Sequence, residues 1–160
     1  MTAGVVEKAG GGLSVFITQV LKKCENCADT LVKAVSRPEV FSGDAPELIV
    51  FSAGAYSGKR PIFPDSVLII PEKDAKESAV ARVVYTYGMG STDDVTYSSI
   101  DGSKKVVSLQ NEMTALTGKT VESQDIPVSQ PGEISSDELL AAMAALIILG
   151  VPPEKLSSAL

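Results

Sequence analysis

The sequence of 160 residues contains no histidine and no tryptophan, and its only aromatic residues are four tyrosines and four phenylalanines. Histidine is the side chain that most often acts as a general base near neutral pH and as a metal ligand, so any catalysis would depend on carboxylates, lysines, hydroxyls or cysteines. The chain is acidic, with a net charge of −6, and has no basic stripe. Nucleic-acid binding relies on neutralising phosphates and on stacking bases against aromatic rings. We therefore expect no nucleic-acid partner.

Long hydrophobic segments are also missing. The longest apolar run, Leu139–Leu149, has 11 residues, whereas a helix needs about 20 to span a bilayer. The N-terminus lacks the charged segment followed by an apolar core that is typical of a signal peptide. These absences predict a cytoplasmic protein with no membrane partner.

Cysteine is scarce, since Cys24 and Cys27 are the only two and form a single C-x-x-C pair. A structural zinc site needs four ligands, and the chain offers neither a second pair nor a histidine. A redox-active pair usually lies at the start of a helix, whereas this pair follows a predicted helix. We predict two reduced, partly buried thiols and no metal site. A metal shared by two copies of the chain is the alternative.

The residues that are present favour one α/β domain over residues 1–160. The length suffices for one hydrophobic core and is short for two, and 44% of the residues are hydrophobic. Short continuous apolar runs at 47–51 and 66–70 are typical of buried parallel strands. A further strand is predicted at 82–87. Residues 30–35 could form a strand or a helix, and their β-branched side chains favour the strand.

The second half of the chain has a different pattern. Residues 95–100 and 105–109 alternate on either side of Asp101-Gly102, which predicts an antiparallel hairpin. A further extended segment is predicted at 119–128. Before this region, a short helix is predicted at 72–81, between the strands at 66–70 and 82–87. The predicted fold class is α/β, with a mainly parallel, P-loop-like sheet flanked by helices and an antiparallel β-hairpin extension at one edge.

The best-delimited helix starts at Ser135 or Ser136, where Ser135-x-x-Glu138 forms a capping box. Its apolar run, Leu139–Leu149, ends at Gly150, and Pro153 starts another short helix. A helix this uniformly apolar is either central in the core or half buried in a subunit interface. The second alternative predicts a homo-oligomer, or a partner protein that binds through Leu139–Leu149.

A glycine-rich turn separates the first predicted strand from the first predicted helix. This order is the layout of a phosphate-binding P-loop, whose pattern is G-x-x-x-x-G-K-[ST]. In the matching window, Gly12 and Ser14 are retained, while Glu7 replaces the first glycine and Leu13 replaces the lysine. We predict that Gly10, Gly11, Gly12 and Ser14 would bind a phosphate or another anion, if this loop binds one. The alternative is a turn in which the glycines serve geometry only.

Two other groups of residues are candidates for chemistry. The loop 53–61 contains Gly58-Lys59 after a predicted strand, but Arg60 follows and Pro61 disfavours a helix, so we interpret it as a basic surface loop. Four carboxylates lie beside predicted strand ends, where α/β sites form, although acids in loops are usually only solvated. They are Glu72, Asp74, Asp93 and Asp94.

Taken together, these passages resemble the central, ATP-binding domain of the Mur ligase family, the amide-forming enzymes of peptidoglycan precursor synthesis. Val84–Gly88 followed by Asp94-Val95 is similar to a "tyG…aDv" passage of that family. A second passage of the family, "PGeHNvyNaLAAiAaa…lGip", is similar to Ile126–Val128, Pro131–Glu133, Leu139–Ala145 and Leu149–Pro152. The segment from Gly4 to Leu21 resembles its P-loop, so the resemblance covers most of the chain in the right order.

The departures from the family pattern are consistent with one another. The resemblance implies a lysine where this chain has Leu13, and a metal-binding glutamate where it has Ser52. The family's "TN…DH" passage corresponds to 69–75, which contains no histidine. Ile134 and Ser135 replace the family's His-Asn, and Glu138 replaces its second asparagine. The substrate and C-terminal domains of the ligases are not represented.

Activating a carboxylate with ATP requires cations at the phosphates. We therefore interpret the chain as a truncated and degenerate relative that is non-catalytic and acts as a binding or assembly module, with no cofactor. The alternative is a divergent ATP-dependent ligase, or a nucleotide- or anion-binding protein, that uses Gly10–Ser14. In that case, ATP with Mg²⁺ is the cofactor, and Lys8, Lys59 or a partner's lysine replaces the missing cation.

Overall fold

The computed structural model of the chain describes residues 1–27, 29–56, 59–71, 78–102, 104–129, 132 and 134–159. Within these residues, the first half of the chain forms a five-stranded sheet in the order β2-β1-β3-β4-β5, and every neighbouring pair is parallel. Its strands are β1 (Thr2–Val6), β2 (Leu31–Val35), β3 (Leu48–Phe51), β4 (Ile62–Ile70) and β5 (Val80–Thr86).

The predicted parallel strands are confirmed, and the largest differences from the predicted bounds are at the starts of β4 and β5. β4 starts four residues before the predicted run at 66–70, because Ile62 and Phe63 pair with β5 on the far side of a register irregularity. The predicted helix at 72–81 is wrong at its end, where β5 begins at Val80. Residues 72–77 lie outside the described residues.

The antiparallel extension follows the edge strand β5. β6 (Val95–Asp101) and β7 (Lys104–Leu109) form the predicted hairpin, and β10 (Gln124–Val128) pairs with the other side of β7. A small hairpin of β8 (Met113–Thr114) and β9 (Thr120–Val121) lies between them. The predicted fold class is confirmed. The third strand of this sheet is the extended segment that was predicted within 119–128.

Helices α1 (Leu13–Lys22) and α2 (Ser136–Ile148) cover one face of the parallel sheet. Helix α3 (Pro153–Ala159) packs against β10 of the antiparallel sheet. Ser135 caps α2 as the sequence predicts, because its hydroxyl accepts a hydrogen bond of 3.2 Å from the Glu138 amide. The other face is covered in part by a 3₁₀ helix, Pro38–Phe41. No described helix is long and apolar enough to cross a membrane.

α2 occupies the centre of the main core. All residues from Leu139 to Leu149 are fully buried within the single chain, and α2 contacts α1, β3, β4, β6 and β8. Of the two alternatives for this apolar helix, the central position is the one observed. Leu139–Leu149 therefore offers no exposed apolar surface to another chain. Self-association stays a prediction, and it would require a different surface.

Gly4 allows β1 to lie close to the 3₁₀ helix. A Cβ atom at this position would lie 2.5 Å from Cζ of Phe41 and 2.9 Å from Cγ of Pro46. We expect Gly4→Ala to lower the free energy of unfolding by about 1–3 kcal/mol through overpacking, even though alanine usually suits a strand better than glycine. Urea titration measures the change. Gly43→Ala is the control, since a Cβ there has no neighbour within 4 Å.

Candidate functional site

The glycine-rich turn has the strand-loop-helix geometry that the sequence predicts. β1 ends at Val6 and α1 begins at Leu13. Between them, the Gly11 amide donates to the Lys8 carbonyl at 2.8 Å, and Gly10 has a φ of 81°, a left-handed conformation that favours glycine. The loop therefore directs the first amides of α1 back towards the end of β1.

Those amides bind the side chain of Glu7. The Leu13 amide donates to Oε2 of Glu7 at 3.0 Å, and the Ser14 amide donates to the same oxygen at 3.3 Å. The Ser14 hydroxyl donates to Oε1 of Glu7. The Glu7 residue is only 6% exposed. A carboxylate of the chain itself thus accepts hydrogen bonds from three donors at the start of α1.

This arrangement uses the groups that bind phosphate in a P-loop. Unpaired N–H groups and the helix dipole make a helix N-terminus favourable for an anion, and a carboxylate accepts strong, charge-assisted hydrogen bonds. In the sequence, Glu7 is recognisable only as the residue that replaces the first glycine of the P-loop pattern. In the structure, Glu7 also takes hydrogen bonds that a phosphate would need. The sequence contains one signal for this contact, namely that the acidic residue Glu7 lies six positions before Leu13, the first residue of α1.

Leu13 is fully buried in the main core. In the P-loop pattern the lysine at this position reaches the phosphates, so its replacement leaves no cation at the helix start. Gly10, Gly11 and Gly12 lie together in the loop and Ser14 lies in the first turn of α1; Ser14 donates hydrogen bonds to the Glu7 carboxylate, and Gly11 packs against it. Anion binding by these four residues stays a prediction.

A cavity of about 180 Å³ lies beside the loop, at the ends of β1 and β3 and the start of α2. Glu7, Asp137 and Glu138 contribute three carboxylates to its lining, and Lys8 contributes one cation. This balance of charge disfavours a nucleotide phosphate. The structure places Lys8 at this cavity, whereas Lys59 lines a different cavity beside Phe51 and Phe63.

Two positions of the family pattern have local structural roles. Ser52 occupies the position of the implied metal-binding glutamate. Its backbone amide donates a hydrogen bond to the Val6 carbonyl at 2.9 Å, and the residue is 5% exposed. Ser135, in the place of the implied asparagine, caps α2. Both residues line the cavity beside the glycine loop. A serine hydroxyl is a weak substitute for a carboxylate toward Mg²⁺, which prefers charged oxygen ligands.

Two of the candidate carboxylates, Asp93 and Asp94, hold the turn after β5. Asp94 accepts hydrogen bonds from the Thr86 amide at 2.8 Å and from Nδ2 of Asn111 at 2.9 Å. Asp93 accepts one from the Gly90 amide at 3.0 Å. Neither residue lines the cavity beside the glycine loop. Glu72, Asp74 and Gly58 lie outside the described residues.

The two cysteines are free, and they are buried rather than partly buried as predicted. They follow α1, and Sγ of Cys27 lies 3.5 Å from Sγ of Cys24. Burial, together with the neighbouring Cys24, raises the pKa of Cys27 to about 11. A thiol with a raised pKa is a poor nucleophile at neutral pH, because the thiolate is the reactive form.

Tyr87 fixes the end of β3 next to this site, because its hydroxyl donates to the Phe51 carbonyl at 2.7 Å. Burial raises the pKa of Tyr87 well above its ordinary value, and the charge of Asp137 adds to the rise. In the unfolded chain this tyrosine ionises near pH 10, so its contribution to folding is complete below pH 10 and is lost as the pH rises beyond it.

We therefore expect Tyr87→Phe to have two effects. At pH 7 it should lower the free energy of unfolding by about 1–2 kcal/mol, because the Phe51 carbonyl loses a partner. Above pH 10 the variant should lose stability less steeply than the wild type, by up to about 1.4 kcal/mol per pH unit. Urea titrations between pH 7 and 11 measure both. Equal slopes for the two proteins would contradict the assignment.

Comparison with solved structures identifies the fold. The chain is similar to the UDP-N-acetylmuramoylalanyl-D-glutamyl-2,6-diaminopimelate–D-alanyl-D-alanyl ligase from Acinetobacter baumannii, with a TM-score of 0.60 and 12% identity over 99% of this chain and 45% of that one. A crystal structure of MurF from Acinetobacter baumannii matches with a TM-score of 0.57 and 14% identity, over 99% of this chain and 45% of that one. The chain has a Mur ligase-like fold.

The Mur ligase-like fold agrees with the resemblance that the sequence motifs carry. The chain spans less than half the length of the ligases that it matches. No protein-family model and no curated protein sequence matches it. At 12–14% identity, the likeness concerns the fold and not the activity.

Proposed function

We propose that this chain is a non-catalytic counterpart of the nucleotide-binding domain of a Mur ligase and acts as a binding or assembly module. The observation that carries the proposal is the Glu7 carboxylate, which accepts hydrogen bonds from the Leu13 amide and from the amide and hydroxyl of Ser14. A phosphate would have to displace this carboxylate and then remain beside its charge. The loss of the cation at Leu13 removes the main compensation for that cost.

The surroundings of the loop support the same proposal. Asp137 and Glu138 add negative charge to the cavity beside the loop, and Ser52 provides no carboxylate for a metal ion. Transfer of a phosphoryl group depends on cations that stabilise charge on the phosphate oxygens. The described residues at this site supply one, Lys8, against three carboxylates.

A divergent nucleotide or anion site is the second candidate, and a specific observation favours it. The strand-loop-helix geometry of a P-loop is retained, with Gly10 in the left-handed conformation and Lys8 at the cavity. If the Glu7 side chain rotated away, the amides of Leu13 and Ser14 would lose their carboxylate acceptor and could bind an anion. ATP with Mg²⁺ would then be the ligand to test.

Calorimetric titration with ATP and Mg²⁺ distinguishes the two candidates. We expect no binding of millimolar ATP to the wild type. The variant E7G/L13K restores the complete G-x-x-x-x-G-K-S pattern, and we expect it to bind ATP more tightly than either single variant, E7G or L13K. Saturable binding to the wild type, abolished by Lys8→Met, would overturn the non-catalytic proposal in favour of the second candidate.

The assembly role requires a surface other than α2. The edge strand β2 and the neighbouring 3₁₀ helix each carry an exposed apolar side chain, Leu31 at 68% and Val40 at 59%. We propose that self-association uses this edge, and sedimentation velocity tests it. We expect a species larger than one chain of 16.7 kDa that becomes smaller in Leu31→Asp. A monodisperse wild-type monomer at all accessible concentrations would contradict self-association.

A further inference from the structure

The C-x-x-C pair has no role in the function proposed above, and its geometry is that of a preformed dithiol. The Cys27 amide donates to the Cys24 carbonyl at 3.2 Å, and the Cys24 amide donates to the Leu21 carbonyl at 3.0 Å. These backbone bonds hold the two residues in one turn after α1. Both side chains point inward, with exposures of 5% and 4%, and their sulfur atoms lie 3.5 Å apart.

The surroundings of the pair combine access with positive charge. A cavity of about 370 Å³ borders Cys24, and Lys23 and Lys155 are among its lining residues, with Glu25 as the opposing charge. The charge of Lys155 lowers the pKa of Cys27, against the larger effect of burial. Among the described residues, no third cysteine, aspartate or glutamate completes a metal-binding group with the pair.

We propose that Cys24 and Cys27 form a two-coordinate binding site for a soft monovalent cation, of which Cu(I) is the biological example. Thiolates are the ligands that select Cu(I), whereas zinc in a structural site requires four ligands. Binding converts two thiols and one Cu(I) into an anionic bis-thiolate complex and releases two protons, with no change of oxidation state. Lys23 and Lys155 would stabilise the resulting negative charge.

The distances allow this complex with a small movement. With metal–sulfur bonds of about 2.3 Å, two sulfurs on one metal ion lie roughly 3.7–4.6 Å apart between the tetrahedral and linear limits. The present separation of 3.5 Å therefore needs to widen by about 1 Å at most. The cavity beside Cys24 provides the room for this rotation.

Competition with bicinchoninate under anaerobic conditions tests the site, because its Cu(I) complex is coloured. We expect the reduced wild type to withdraw one equivalent of Cu(I). Cys24→Ser and Cys27→Ser should each weaken binding by more than about 100-fold, since even outer partners of a metal ligand contribute 10–100-fold. Lys155→Met should weaken it by about 10-fold, whereas Lys119→Met, at an exposed position in the extension, should have no effect.

Several outcomes would overturn the proposal. The proposal is wrong if the wild type withdraws no Cu(I), or if both serine variants bind Cu(I) as tightly as the wild type. It is also wrong if a dimer of the chain retains zinc in the presence of a chelator, because that result would indicate a four-thiolate site shared by two chains. If the serine variants fail to fold by circular dichroism, X-ray absorption of the wild-type complex decides. Two sulfur neighbours per copper are expected, and nitrogen or oxygen neighbours would contradict the two-thiolate site.

Discussion

Glu7→Ala is expected to lower the free energy of unfolding by about 3 kcal/mol. The substitution removes the acceptor for the amides of Leu13 and Ser14 and for the Ser14 hydroxyl. A buried donor left without a partner costs about 1–3 kcal/mol, and Leu13 is fully buried while Ser14 is more accessible. Urea titration measures the loss. Glu112→Ala, which removes an exposed acid, should change stability by less than about 0.5 kcal/mol.

The same variant should also regain a response to anions. With the carboxylate gone, the amides at the start of α1 are free to bind phosphate, and a ligand at 100 times its Kd adds about 2.7 kcal/mol to stability. We expect inorganic phosphate to stabilise Glu7→Ala and to leave the wild type unchanged at the same ionic strength. Sodium chloride at matched ionic strength is the control. An equal response of both proteins to phosphate would show that the carboxylate does not occupy the anion position.

Leu146→Ala is expected to lower the free energy of unfolding by about 2–5 kcal/mol, through lost burial and the cavity that remains. Leu146 is fully buried in α2, and its carbonyl accepts a hydrogen bond from Val151 at 2.9 Å, which holds the helix end. The loss should be the same at all protein concentrations, because α2 is buried within one chain. A loss that shrinks as concentration rises would indicate that α2 is part of a subunit interface.

The matched control for this change lies on α1. Val15 is 55% exposed, so Val15→Ala should change stability by less than about 0.5 kcal/mol. Thermal unfolding followed by circular dichroism compares the two variants with the wild type. A similar effect at both positions would contradict the assignment of α2 to the core.

Most of the fold could be predicted because its strands are locally distinctive. Leu48–Phe51 is continuously apolar, as a strand buried on both faces must be, and Asp101-Gly102 is a turn signal between alternating segments. The sequence did not predict that Ile62 and Phe63 extend β4, because Pro64 and Asp65 interrupt the apolar pattern. Their pairing with β5 depends on contacts between distant segments, which local patterns do not contain.

The strand-loop-helix geometry of the glycine-rich turn was predicted, whereas the hydrogen bonds inside it were not. The pattern at Gly12 and Ser14 located the loop, and the substitution at Leu13 was visible as a lost cation. The contact between Glu7 and the helix amides was not predicted, because a motif comparison scores each position separately. That contact arises only when the turn folds back and brings a carboxylate six residues upstream against the Leu13 amide. The composition of α2 did not decide whether this helix lies in the core or in a subunit interface. Its complete burial within one chain places it in the core.

The central claim is that the Glu7 carboxylate holds the place of a nucleotide phosphate at the start of α1. The most direct test follows the ¹H–¹⁵N signals of the Leu13 and Ser14 amides while ATP and Mg²⁺ are added to the wild type. We expect both signals to stay unchanged at millimolar ATP in the wild type, and the amide signals of residues 13 and 14 to shift in the E7G/L13K variant. A saturable shift of the Leu13 and Ser14 signals in the wild type would contradict it.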